Sequence, residues 1–527
     1  MNNTCDNSRQ IEYPMIHLKI ILILCSLSFA QDFLIPSQKA YTSRDALINP
    51  EVSKRNQQIH QNKNLNYSWD WCSDRASTID ENLSTDESSQ LTQPDFCKNN
   101  AHIQFKDSSR SLSFRPIIEE EYRLIDIYDD KVISTNYGGT ILGHIDYLSF
   151  WVDARIFSES HDKQDGLNRG ELSWDREFID VQDDDNDNLS NNLSFVSYAR
   201  YRAAMTLDTR VGKLGFRRET IHWGPGVFLN LSFNYQAVPF NHVFYQGEIG
   251  PVRVWTLYGK LSRSTGGYYQ RGRDSKTIYA HRYEWSVIPN LTLGMTEQLI
   301  LFNQDEPWAF VPIVPLFMEK GQGVEEDNNG NMAFDITYKL PGWALLYTEF
   351  LLDDMQEPSS LFDNFWGNRW AWMAGIHLSP KTHKSLGLIA EYSRVEPWVY
   401  THYDSLTAQS TNGGAALGNP YGPNSQAVVV NPYYQIANHW SIGAKALWLW
   451  KGDDAGSHLQ DGTEERLGVE KAGLIQPNLK RFLHNVDGPQ ISVGPQIYWR
   501  GYGLQIDLEA SWGSNNDQIL TRIAYQY

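Results

Sequence analysis

The chain has 527 residues, with 63 Asp or Glu against 45 Lys or Arg and a formal net charge of −18. That balance excludes indiscriminate binding to a nucleic-acid phosphate backbone. Mean hydropathy is −0.48, and beyond the N-terminal segment no apolar run reaches about eighteen residues, which excludes a helical membrane protein. An aromatic share of 13 % is too high for a disordered acidic chain. Combined with low hydropathy, it suits a wall whose side chains alternate between lipid and water.

Met15-Ile16-His17-Leu18-Lys19, the apolar run Ile20 to Leu24 and the closing Ser28-Phe29-Ala30 describe a cleavable signal peptide over residues 1–30. Cleavage is expected after Ala30. Leu24 before Cys25 is a poor fit to a lipoprotein site. In the exported chain Cys72 and Cys97 remain, and in an oxidising compartment they are candidates for one disulfide, with two unpaired thiols as the alternative. Residues 31–110 are polar and rich in Asn, Gln, Ser and Asp. They are expected to form a short, poorly defined N-terminal periplasmic segment.

From 111 to 527 short segments of period-two alternation recur. The clearest runs from Tyr502 to Trp512, where Tyr502, Leu504, Ile506, Leu508, Ala510 and Trp512 alternate with Gly503, Gln505, Asp507, Glu509 and Ser511. About eleven residues of unbroken alternation with aromatics at both ends matches a membrane-crossing strand. Strands are predicted at 114–124, 136–145, 147–158, 193–208, 210–220, 239–248, 251–263, 276–287 and 290–301. A second set follows at 330–339, 342–352, 368–379, 384–395, 425–436, 438–450, 488–500, 502–512 and 517–527. Connections alternate between tight turns and long loops, the long ones near 159–192, 221–238, 302–329, 396–424 and 451–487. Short periplasmic turns, longer outer loops and an even strand count define an outer-membrane barrel. The predicted fold is all-β, a transmembrane antiparallel β-barrel of about eighteen strands. A terminal Tyr527 on the alternating last strand resembles the signal read by barrel-insertion machinery.

No catalytic constellation stands out. There is no Gly-x-Ser-x-Gly elbow, and His377 and His402 have no sequence-local partner. Adjacent Asp353 and Asp354 would point to opposite faces of a strand, a poor acid–base pair. Asp183-Asp184-Asp185-Asn186-Asp187-Asn188 offers oxygen ligands but lacks the glycine and distal glutamate of an EF-hand, so a solvated acidic loop is expected. Neither an enzyme activity, a metal site nor a cofactor is expected. Aromatic residues in or beside outer loops, Trp223, Trp398, Tyr400, His402, Tyr421, Phe365 and Trp366, mix with Asp, Asn and Gln. Aromatic planes pack on the C–H faces of sugars and polar groups meet their hydroxyls, so Trp223, Asp353, Asp354, Trp398, Tyr400, His402 and Tyr421 are the carbohydrate-binding candidates. An aromatic girdle or loop packing explains many of the same residues.

Several pieces resemble the capsule-assembly Wzi family in order and spacing, across about residues 111–527. They are His222-Trp223-Gly224-Pro225-Gly226, Leu231-Ser232 and Pro239-Phe240, then Asp353-Asp354, Glu391-Tyr392 with Pro397, Tyr400-Thr401-His402, Leu417-Gly418 and Gly422-Pro423-Asn424-Ser425. The resemblance implies a monomeric barrel in the bacterial outer membrane, in contact with lipid and lipopolysaccharide. It would act as a surface lectin that helps hold capsular or exported polysaccharide on the cell. Family members with a helical bundle closing the periplasmic mouth differ from this chain, whose residues 31–110 carry no strong apolar helix stripe. The glycines and prolines of His222 to Gly226 suit a loop folding tightly into the barrel. The rival reading is a porin or channel for small solutes, since a barrel of this size is wide enough for an aqueous lumen.

Overall fold

A computed structural model of the chain describes residues 103–106, 110–125, 130–161, 195–234, 239–261, 276–319, 328–383, 385–402, 408–412, 415–437, 440–459, 461, 479–501, 504–513 and 518–526. The expected signal peptide, Cys72, Cys97, the acidic run 183–188 and nearly all of the N-terminal segment lie outside the described residues.

The strands in chain order are β1 (Ile103–Lys106), β2 (Arg110–Ile125), β3 (Asp130–Ile145), β4 (Leu148–His161), β5 (Phe195–Thr209), β6 (Gly212–Glu219) and β7 (Phe240–Ile249). Next come β8 (Val252–Leu261), β9 (Lys276–Ile288), β10 (Leu291–Phe302), β11 (Asn328–Leu340), β12 (Ala344–Asp354), β13 (Arg369–Leu378) and β14 (Leu386–Val395). The last are β15 (Thr411–Asn412), β16 (Ala415–Ala416), β17 (Ser425–Ala437), β18 (Trp440–Lys451), β19 (Gln490–Gly501), β20 (Leu504–Gly513) and β21 (Gln518–Gln526). All but β15 and β16 join one 19-stranded sheet, and those two form a small hairpin of their own. β1 pairs antiparallel only with the start of β2, Ile103↔Phe114 to Lys106↔Ser111. The other eighteen pair antiparallel in chain order, and β21 returns to β2 in the register Ile117↔Gln526 to Ile125↔Gln518. This pairing closes the ring, so no strand edge is left to be satisfied by lipid. Each of the eighteen predicted strands is present, most displaced by a few residues at one end.

Alternation is inverted relative to a soluble protein. Along β11, Phe334, Ile336, Tyr338 and Leu340 are exposed while Asp335, Thr337 and Lys339 are buried. On β20, Leu508 and Trp512 face out while Asp507 and Glu509 are buried. An apolar outer belt around a polar interior is the signature of an outer-membrane barrel. Short turns lie at one end, such as Asp146-Tyr147, Arg210-Val211, Gly250-Pro251 and Pro289-Asn290, and long connections at the other. Pro495 on β19 faces outward and has no partner on β20, as does Gly494 before it, in keeping with proline's missing donor. Among the described residues no helix is long and apolar enough to cross a membrane.

Candidate functional site

An eighteen-strand ring encloses space that wall side chains alone do not fill. Here two long connections fold inward to fill it. Residues 221–234, between β6 and β7, are buried throughout, with Leu229, Asn230 and Leu231 at 0 % exposure. Ile221, Trp223 and Phe233 pack with Phe244, Trp255, Leu257 and Ile278 of the β7–β9 wall. Val227, Phe228, Leu229 and Leu231 pack with Tyr347, Leu351, Met373, Ile389 and Val429 of the wall from β12 to β17. The segment therefore bridges the lumen.

A buried irregular segment must find partners for its backbone polar groups. Two inward carboxylates supply them. Glu391 on β14 accepts from the N–H groups of Val227 (2.5 Å), Phe228 (2.8 Å) and Leu229 (2.9 Å) and from the Tyr347 hydroxyl (2.7 Å). Glu349 on β12 accepts from the N–H groups of Leu231 (2.8 Å) and Ser232 (3.1 Å) and from the Ser232 hydroxyl. A carboxylate receiving several donors is a strong acceptor and fixes the segment's path. Asn230 ties the loop to itself: its Nδ2 donates to the carbonyls of Trp223 and Phe233, and its Oδ1 accepts from Gly226 N–H at 2.9 Å. Gly224 adopts φ +120°, and a Cβ there would collide with the Asn230 amide. The expectation that His222 to Gly226 fold into the barrel is borne out.

Between β14 and β17 the described residues 396–402, 408–412 and 415–424 form the second inward layer. Trp398 and Tyr400 both adopt φ +70°, a backbone region uncommon for bulky residues and held only where surroundings over-determine it. Trp398 N–H donates to the Gly456 carbonyl (2.9 Å), Tyr400 N–H to Asp353 Oδ2 (2.7 Å), and the Tyr400 hydroxyl to the Leu231 carbonyl (2.8 Å). Asn419 N–H donates to that same hydroxyl, and Asn419 Nδ2 to Ser393 Oγ and the Leu229 carbonyl. Burial lifts the Tyr400 hydroxyl well above its ordinary pKa, so it keeps its proton and its donor role. On the far wall Lys276 Nζ donates to Thr411 through its carbonyl (2.7 Å) and hydroxyl (2.9 Å).

Of the third connection, between β18 and β19, the described residues 452–459, 461 and 479–489 lie against the second. Gly456 sits against the Trp398 indole, where a Cβ would come within 2.6 Å of the ring. Asn424 donates to Ser457 Oγ (2.7 Å) and accepts from Leu483 N–H (2.8 Å). Lys480 bonds the Asn368 carbonyl (2.5 Å) and Glu396 (3.0 Å). Burial lowers the pKa of this ammonium, and the Glu396 charge opposes that shift.

The structure does not bring the seven predicted carbohydrate contacts to one exposed face. Trp223, Trp398, Tyr400, His402 and Asp353 are buried in the inward layers, where the physical demand for packing and backbone satisfaction holds them. The register of β12 shifts between Leu352 and Asp354, which pairs with buried Arg369, so the strict alternation expected of Asp353 and Asp354 is interrupted there. Asp353 holds Tyr400, and Asp354 accepts from Met355 N–H at the rim. Asp354 and Tyr421 are half-buried. At the outer rim, Trp366 stands edge-on to Trp398 (6.3 Å), with the Arg369 guanidinium 4.9 Å from its ring centre. Phe365 bridges to Leu479, and Phe362 is 71 % exposed. Glu349, Glu391, Asn230 and Asn419, which hold the interior together, were not among the predicted site residues. An acidic residue on the inward face of an alternating strand is the signal that marks two of them. Among the described residues no cluster of ligating side chains suits a metal ion.

Residues 222–472 match the family model described as capsule assembly protein Wzi, a span that holds both inward segments. The resemblance to that family is borne out over those residues. No curated protein matches the chain. Among solved structures, Wzi of Escherichia coli, titled an outer-membrane protein involved in group 1 capsule assembly and a carbohydrate-binding β-barrel, is 13 % identical over 79 % of this chain and 84 % of its own, with a TM-score of 0.46. OprD of Pseudomonas aeruginosa is 11 % identical over 81 % and 96 %, with a TM-score of 0.42. OpdK of the same organism is 9 % identical over 80 % and 99 %, with a TM-score of 0.44. At these scores neither kind of neighbour decides function.

Proposed function

We propose that this chain, an outer-membrane barrel matching the Wzi capsule-assembly family over residues 222–472, holds capsular or exported polysaccharide at the cell surface and has no enzymatic activity. The observation that supports this reading is the filled lumen. Glu349 and Glu391 anchor residues 227–232 across the interior, and described parts of the next two long connections are bonded over them through Tyr400, Asn424 and Ser457. A barrel built for solute flow gains nothing from two buried layers. A barrel built to present a fixed outer surface gains rigidity from them.

In this reading Trp398, Tyr400, His402, Trp223 and Asp353 act from beneath, fixing the shape of the outer loops. Contact with sugar falls to residues that reach the surface, Asp354, Tyr421 and the rim around Trp366. Aromatic planes beside charged and amide groups are the chemistry a glycan surface needs. Retention of the host's own polysaccharide on the purified, reconstituted protein tests the reading. Binding that weakens in Trp366→Ala is expected; no retention by the unaltered protein would overturn it. The second reading, a porin, is tested on the same preparation. Steady conductance across a planar bilayer by the unaltered protein would favour it.

A further inference from the structure

The connection between β10 and β11 does not stand above the barrel. Its described part, 303–319, folds down the outside of the wall. Side faces follow from the register: Arg282 meets Glu284 and Asp335 inside the barrel, so Tyr279, His281 and Tyr283 face outward, on the same side as exposed Trp285 and Val287. Cross-strand partners share that face. Thr256 of β8, His281 of β9 and Glu297 of β10 therefore form one polar row on the outer wall, and all three are buried.

The strap covers this row. Thr256 Oγ1 donates to the Phe310 carbonyl (2.6 Å), and the Tyr283 hydroxyl to the Pro312 carbonyl (2.5 Å). Backbone groups of Ala309, Phe310 and Val314 flank the His281 ring. The Glu297 carboxylate takes hydrogen bonds from the backbone of Leu316 and Phe317. Within the strap Ala309, Val311, Val314 and Met318 donate to Glu306, Trp308, Val311 and Pro315. Pro307, Pro312 and Pro315 have no N–H to satisfy.

From Pro307 to Met318 the sequence is Pro-Trp-Ala-Phe-Val-Pro-Ile-Val-Pro-Leu-Phe-Met, without a charge. Its outward side is wholly apolar: Trp308 is 54 % exposed, Ile313 82 % and Met318 64 %, with Val311, Pro307 and Pro315 beside them. Depth follows from strand geometry. Tyr283, which holds Pro312, is five residues from Ile288 at the short-turn end. At about 3.4 Å per residue and a tilt of about 40°, Pro312 sits roughly 13 Å above that end, halfway through an apolar band about 25 Å tall.

From this geometry we infer that residues 307–318 are embedded in the outer leaflet, with Trp308, Val311, Ile313 and Met318 packed against lipid acyl chains. Trp285, Val287, Phe334 and Ile336 of β9 and β11 form an exposed apolar belt on the same outer face of the wall. Irregular backbone at hydrocarbon depth is tolerated only where its polar groups are satisfied by protein. The Thr256, His281, Tyr283 and Glu297 row on an otherwise lipid-facing wall supplies that satisfaction. The strap thus turns a polar stretch of wall into an apolar one and anchors the barrel at a fixed depth.

The test uses the full chain with Cys5, Cys25, Cys72 and Cys97 replaced by Ser, reconstituted in phosphatidylcholine vesicles. An environment-sensitive fluorophore is attached at Ile313→Cys, with Met318→Cys as an independent second position. Ile336→Cys on the bare belt and Glu357→Cys at the rim serve as references. The inference predicts that both strap labels lose as large a fraction of fluorescence to mid-chain spin-labelled lipid as the Ile336 label does, with none lost to aqueous iodide. Quenching by iodide like that of the Glu357 label would overturn it. Protection from both quenchers would equally overturn it, since the strap would then face protein.

Discussion

Replacing Glu391 with Gln tests what keeps the lumen closed. The carboxylate accepts four hydrogen bonds, Val227 N–H and Tyr347 hydroxyl at Oε1, Phe228 and Leu229 N–H at Oε2. In Glu391→Gln one oxygen becomes an amide NH2 that faces these donors. Placed at Oε1 it still meets Tyr347, whose hydroxyl turns to accept, but Val227 N–H is stranded. Placed at Oε2 it strands both Phe228 and Leu229. One orphaned buried N–H costs about 1–3 kcal/mol, and each surviving bond drops from charge-assisted to neutral, about 1 kcal/mol apiece. The sum is about 3–5 kcal/mol, or on the order of 10² to 10⁴-fold toward the undocked segment. Hydrogen exchange at amides 227–229 and planar-bilayer recording read the outcome together. Faster exchange and brief conductance events in the variant, against slow exchange and silence in the parent, are expected. Unchanged exchange and silent bilayers would refute the assignment of Glu391 as the anchor.

Other consequences are as direct. Tyr400→Phe removes the hydroxyl shared by the Leu231 carbonyl and Asn419 N–H, and should lower stability to urea by about 1–3 kcal/mol with the barrel intact. Arg282→Ala leaves Glu284 and Asp335 buried without their cation, and a loss of about 3–5 kcal/mol in the same titration is expected. Gly456→Ala meets both φ +87° and the Trp398 ring, so proteolytic nicking between 396 and 459 should quicken while the strands stay protected. At the top of the strap, burial alone would raise the Asp305 carboxyl, but hydrogen bonds from Lys260 (2.7 Å) and Thr277 (3.0 Å) and the Lys260 charge outweigh it and hold its pKa below the usual range. Its contribution is therefore complete above the ordinary carboxylate pKa and lost as pH falls through the depressed one. Fluorescence from a label at Trp308→Cys should stay constant down to the ordinary range and change only below it, and Asp305→Asn should abolish that change.

The wall was legible because two solvents write a two-residue period. Leu508 and Trp512 must meet lipid while Asp507 and Glu509 meet a polar interior, and each such strand announces itself alone. Loop direction leaves no comparable mark. Trp398, Tyr400 and His402 read as surface aromatics because a connection that folds inward and one that stands outward share the same composition. What separates them is a distant acceptor: Asp353 for Tyr400, Glu391 for Val227, 164 residues away. Gly224, Gly226 and Pro225 were the exception, since their backbone demands pointed inward before any partner was known. The strap went unread for a related reason. Its charge-free run from Pro307 to Met318 has no period, and only the polar row of Thr256, His281 and Glu297 beneath it tells which surface it covers.

The most direct test of the central claim is the partition of capsular or exopolysaccharide between cells and medium, with and without this gene, at matched total synthesis. The account predicts that deletion moves polysaccharide from the cell surface to the medium, and that the parent gene but not Trp366→Ala restores it. An unchanged partition would contradict surface attachment.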